Sequence, residues 1–284
     1  MASNKNGTEA KKASVFDTID PRILERIKAL RLMDDEFMSV VFDGDKELTG
    51  LVLRIILNRD DLTVKKTMTQ SEKRNLYGRS VKLDILAEDT NGKIYDIEIQ
   101  RADKGASPKR ARANLSALDS KSLKKGDDFS ALPETYIIFI TENDIYHLNK
   151  PFYEVEKSIK GIKEPFDDGS HTIFVNGAYR ENDAIGKLMH DFCVSEADEM
   201  YYSEIAEKVR FHKNQTDGGN EPMSRIFEEY ANEVATERVA TAVAERNDEL
   251  IRKFIRRNDM SLEEIADIFE VPLQQVQEIA AELA

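Results

Sequence analysis

The sequence is short of cysteine, of histidine in any clustered form, and of positive charge, and each shortage removes a class of function. A lone thiol, Cys193, excludes an internal disulfide and any zinc site built from several cysteines, and its setting, LMHDFCV, reads as a buried helix position. His147, His171, His190 and His212 lie in separate segments without ligand spacing, so no zinc site is expected. No run approaches the roughly twenty apolar residues of a membrane helix. The first residues, MASNKNGTEAKKAS, lack the apolar core of a signal peptide, which leaves the cytoplasm as the expected compartment. With 41 Lys and Arg against 54 Asp and Glu, the formal charge is −13. That balance argues against coating nucleic acid nonspecifically, because such binding comes from neutralised phosphates, but it leaves room for a local basic rim.

What is present is enough for one substantial core with a helical appendage: 284 residues, 40% hydrophobic and 33% charged. The chain is organised around Val81 to Arg101, VKLDILAEDTNGKIYDIEIQR, two alternating runs about a turn signal, Asp89-Thr90-Asn91-Gly92. Period two sets Tyr95, Ile97 and Ile99 on one face of the second run, and Asp96, Glu98 and Gln100 on the other. Whether Asp84 joins them depends on loop parity. A two- or four-residue loop sets Asp84 against Ile99 or Ile97. A three-residue loop, Thr90-Asn91-Gly92 with Gly92 in the left-handed region, sets it against Glu98, and Asn followed by Gly favours that turn. Two carboxylates and an amide would then converge beside Lys82, a donor set of hard oxygens suited to magnesium. On spacing alone, the solvated polar face of an ordinary hairpin remains the alternative.

The pattern Asp84, hairpin turn, Glu98-Ile99-Gln100 resembles the Asp and Glu-x-Lys motif of the PD-(D/E)XK nucleases, in the Glu-x-Gln form of the bacterial recombination-promoting nuclease and putative transposase family. The segments GRSVKLDILAED, YDIEIQR, PKRARANLSALDS, LKKGDDFSALPETYIIFIT and VNGAYR resemble the same family, and together they cover roughly residues 30 to 212. The resemblance implies an α/β, restriction-endonuclease-like core with a mixed central sheet flanked by helices. It implies a magnesium-dependent DNA endonuclease in which Asp84, Glu98 and the Ile99 carbonyl hold the metal and Gln100 takes the place of the usual lysine. An amide orients water and donates to phosphate but carries no charge, so a neighbouring cation must supply it, with Lys82, Arg101, Arg110 and Arg112 as candidates. Lys82, Arg101, Lys109, Arg110 and Arg112 form the expected DNA-contacting rim. By the same resemblance Glu47, at the start of a helix before the hairpin, is a further catalytic acid; its other reading is a Glu that complements a helix dipole.

In chain order, residues 1–16 read as disordered and 17–215 as the nuclease-like domain. Helical spacing marks Lys46 to Leu57 and about Ser107 to Lys124, and strands are expected over Leu62 to Thr69, Tyr136 to Ile140, Glu154 to Ile159 and His171 to Val175. Strand, helix, strand around the second of these helices implies a right-handed crossover. Residues 216–221, containing Asp217-Gly218-Gly219-Asn220, read as a linker to a helical extension over 222–284, in which Ile226, Tyr230, Val234, Leu250 and Phe254 are expected on an exposed stripe that pairs with a partner or a second copy. The last two helices outline a helix-turn-helix, but PLQQVQEIAAELA has no Lys or Arg to set against phosphate, which favours protein contact. The competing function is a catalytically inactive nuclease fold that binds nucleic acid or protein and oligomerises through these helices.

Overall fold

A computed structural model describes residues 20–73, 81–101, 105–162, 164–214 and 221–283, apart from a few side chains. The expected disordered start and the Asp217 to Asn220 linker lie outside these residues. Contacts divide the chain into a larger unit, residues 24–226, and a smaller one, residues 20–23 with 227–283.

The larger unit is an α/β structure on a mixed six-stranded sheet in the order β1-β2-β3-β4-β6-β5. Three helices open the described chain, α1 (Pro21–Ala29), of which residues 24–29 lie in this unit, α2 (Asp35–Phe42) and α3 (Lys46–Leu57). The third starts at Asp45, whose side chain accepts from the Leu48 amide, and ends at Asn58 in the left-handed region. Then come β1 (Val64–Lys73), β2 (Val81–Asp89) and β3 (Ile94–Gln100), an antiparallel run, and α4 (Pro108–Ser122), which starts at Ser107 with Pro108 in its first turn. Helix α4 carries the chain to β4 (Thr135–Thr141), parallel to β3, as the apolar, β-branched sequence of β4 requires of a strand covered on both faces. Leu83, Ala111, Leu118, Ile137, Phe139 and Phe174 form one buried cluster that fixes α4 to the sheet.

The strands β5 (Phe152–Glu154) and β6 (Ser170–Asn176) close the sheet, and α5 (Ala184–Cys193) and α6 (Ser203–Asn214) follow. The strand expected over Glu154 to Ile159 is shorter and earlier, because β5 is an edge strand that pairs only with Ile173, Phe174 and Val175; beyond it a single bridge joins Ser158 to Pro165. Cys193 is half-buried at the end of α5 rather than in the core, where Leu188, Met189 and Phe192 sit.

The smaller unit holds most of α7 (Glu221–Arg257), with α8 (Leu262–Phe269) and α9 (Leu273–Leu283). A capping box between Ser261 and Glu264 starts α8. Ile251, Ile265, Ala266, Val276 and Ile279 form its core, with Phe254 and Ile255 packed on it. Of the expected exposed stripe, Phe254 packs on this core and Val234 is buried, as is Ile226 in the larger unit, while Val239 and Val243 in the middle of α7 stay exposed. The terminal helices fold back on the end of α7, a packing that the apolar stripe alone does not reveal. No described helix is long and apolar enough to cross a membrane.

Candidate active site

The hairpin turn decides which side chains meet. Asp89, itself buried, accepts from the amides of Asn91 at 2.8 Å and Lys93 at 2.9 Å and from the Tyr95 hydroxyl at 2.9 Å. Gly92 takes φ +81°, open to glycine and strained for other residues. Ile85 faces Ile97, Leu86 faces Asp96 and Ala87 faces Tyr95, the register of a three-residue loop. One step further the ladder ends, and side chains replace its backbone bonds. The Ile99 amide donates to an Asp84 carboxylate oxygen at 2.9 Å, and the Asp84 amide approaches a Glu98 carboxylate oxygen at 3.4 Å.

Both carboxyls are withdrawn from water, Asp84 at 8% exposure and Glu98 at 0%. Burial, helped by the charge of Glu98, pushes Asp84 up to about 7. Burial also raises Glu98, although the Arg110 guanidinium opposes it. Asp96, on the same face and fully buried, is raised well above the usual range by burial and by Glu98, and accepts from the Asn114 side-chain amide at 2.9 Å. Its second oxygen has no partner when ionised. A protonated Asp96 donates to Glu98, the direction in which their hydrogen bond moves them, Asp96 up and Glu98 down.

Arg110 and Asn114 stand one turn apart on α4, so a single helix face presents both to β3. Arg110 pairs with Glu98, donates to the Gln100 side-chain oxygen at 2.8 Å and lies over the Phe139 ring at 5.9 Å. The Gln100 amide nitrogen donates to the Ile99 carbonyl at 2.7 Å.

The structure thus brings Asp84, Glu98, Ile99, Gln100 and Arg110 together. Lys82, Lys109 and Arg112 are exposed, and Arg112, two residues past Arg110, points roughly 200° around the helix from it. Arg101 is ion-paired with Asp34 at 2.9 Å. Glu47 is exposed in the first turn of α3, and among the described residues no hydrogen bond or ion pair links it to Asp84 or Glu98. The opening helix acid whose charge reaches Asp84 is Asp35, at the start of α2, which accepts from Gln70 at 2.9 Å. Asp96 and Asn114 are further members that the motif does not name; their signals were period two with Glu98 and helical spacing from Arg110.

Residues 44–177 match the family model of the PD-(D/E)XK nuclease family transposases. Over this stretch the chain is similar to that family. Comparison with curated proteins and with solved structures finds no match in either set. The match spans Asp84, Glu98, Gln100, Arg110 and the whole of the hairpin, and the mixed sheet with its flanking helices is the architecture of a PD-(D/E)XK-like fold. Divalent metals are the general cofactors of PD-(D/E)XK nucleases, and the donors here suit one. They are oxygens only, two buried carboxylates whose joint ionisation calls for a cation. Among the described residues no three His, Cys, Asp or Glu side chains are grouped to hold an ion, so a metal here would rely on two carboxylates and a carbonyl, a number typical of magnesium.

Proposed function

We propose that the chain is a magnesium-dependent DNA endonuclease of the PD-(D/E)XK type, acting in the cytoplasm and hydrolysing phosphodiester bonds. The observation that carries this reading is the pair Asp84 and Glu98, buried side by side where the β2–β3 ladder ends, with raised carboxyls that ionise together only beside a cation. Asp84, Glu98 and the Ile99 carbonyl would hold the ion. Magnesium there would supply charge stabilisation at a phosphate oxygen and acidify a water. Gln100 then aligns the attacking water and donates to a phosphate oxygen, Arg110 contributes positive charge, and Lys82, Arg101, Lys109 and Arg112 hold flanking phosphates. Glu47 remains a candidate for the further helix acid, joined by Asp35, whose charge reaches Asp84.

An inactive binding module has no use for two adjacent buried carboxylates, which cost stability unless a cation offsets their repulsion. Self-association through the helical extension accompanies the activity in this reading, and its exposed apolar residues Val239, Val243 and Ile268 are the candidate contacts. The test is a covalently closed plasmid incubated with the protein in magnesium and in chelator. Nicked and linear products in magnesium alone are expected; uncut circles in both would remove the endonuclease reading.

A further inference from the structure

The oxygens that the proposed metal site would offer are largely occupied by the protein itself. Gln100 holds the Ile99 carbonyl through its amide nitrogen, and through its oxygen it accepts from Arg110, which is paired with Glu98. Ile99, Gln100, Arg110 and Glu98 thus form one continuous chain of contacts across the site. Glu98 is fully buried and needs a counter-cation whenever it is ionised, while a guanidinium and a divalent ion on the same carboxylate would repel each other at close range. Resting on the reading of Asp84, Glu98 and Ile99 as metal donors, we propose that Arg110 is a displaceable plug of that site. Released from Glu98, it supplies to the scissile phosphate the positive charge that Gln100 lacks.

Three observations favour Arg110 over the other cations. Its side chain is 36% exposed, so it turns toward water without opening the core. One turn along α4, Asn114 is bonded to Asp96, both buried, which anchors the helix while Arg110 moves. Arg101 is tied to Asp34 and Glu142, and Lys82 and Arg112 make no hydrogen bond to Glu98 or Gln100 among the described residues. Displacement of Arg110 also frees the Gln100 side-chain oxygen, since the bond between them is lost, and leaves the Gln100 side chain held only by its bond to the Ile99 carbonyl.

The experiment uses the full chain at pH 8, where proton competition for the carboxylates is weak. Manganese binding is measured by calorimetry, and plasmid cleavage at saturating magnesium and DNA, for the wild type, Arg110→Met, Arg110→Lys and Asp84→Asn. The plug predicts that Arg110→Met binds manganese about tenfold more tightly, since its competitor is gone, yet cleaves about 10²-fold more slowly, the usual loss for one oriented donor. Arg110→Lys should fall between the two on both measures, because a lysine point charge cannot hold Glu98 and Gln100 together. Unchanged or weaker manganese binding in a folded Arg110→Met, or cleavage at the wild-type rate, overturns the proposal. Should Arg110→Met fail to fold, Arg110→Lys decides: binding no tighter than wild type overturns it. A wild type that neither binds manganese nor cuts, indistinguishable from Asp84→Asn, is a different result; there the metal-site reading has failed and the plug goes with it.

Discussion

Burial and the charge of Glu98 keep Asp84 protonated up to about 7 in the folded protein, and Asp96 is raised well above the usual carboxylate range by burial and the same neighbour. The sign of the consequence follows from linkage. A carboxyl raised on folding retains protons that the unfolded chain releases, so the metal-free protein loses stability as pH rises from about 4 through 7. Asp96→Asn removes one such group while keeping a donor toward Glu98, so it should raise the melting temperature at pH 8 and leave it nearly unchanged at pH 4.5. Equal effects at the two pH values would show that Asp96 is not held protonated. Of these residues, Asp84, Glu98 and Gln100 were legible in the sequence, since period two and the parity of a three-residue loop suffice to place them. The choice of Arg110 among four basic candidates was not, because it depends on how α4 docks on the sheet. That the charge of Asp35 reaches Asp84 is the same kind of fact: Asp35 and Glu47 each begin a helix, and only the packing of α2 and α3 says which charges Asp84 feels.

At the scale of elements, two glycines hold the frame of the site by different means. Gly92 adopts φ +81° with no atom within 4 Å of an added Cβ, so Gly92→Ala carries backbone strain alone, about 1–2 kcal/mol. A Cβ on Gly177, at the end of β6, would stand 2.2 Å from the Thr141 carbonyl oxygen, to which the Gly177 amide donates at 2.7 Å. Gly177→Ala must part the ends of β4 and β6 and should destabilise more than Gly92→Ala in urea unfolding; the reverse order would contradict the account. The hairpin, α3, α4 and β4 could be read in advance because each has a full period, a cap or a turn residue of its own. β5 could not, since an edge strand of three residues is set by its partner rather than by its own pattern.

For the whole molecule, the two compact units divide inside α7, with Met223 and Ile226, both buried, in the larger. A chain ending at Ile226 should therefore fold cooperatively. One ending at Gln215 lacks both side chains and should be less stable, by roughly 2–5 kcal/mol for each buried apolar side chain removed. Light scattering on the full chain and on the chain ending at Ile226 tests self-association: removal of the extension should bring the mass down to that of a monomer. A shortened chain that keeps its assembly would place the contact in the larger unit. The existence of a helical extension was plain from its periodicity and capping box; its internal packing was not, because an apolar stripe is the same whether it meets its own chain or another.

The claim on which the account rests is that Asp84 and Glu98 are the catalytic pair, and the most direct measurement compares plasmid cleavage by the wild type and by Asp84→Asn in magnesium. Asparagine keeps an acceptor for the Ile99 amide and removes a buried charge, so the variant should fold at least as stably as the wild type at neutral pH. Cleavage should nevertheless fall by about 10³-fold or more, as expected when a ligand of the catalytic ion is lost. A folded Asp84→Asn that cuts at the wild-type rate would contradict the account.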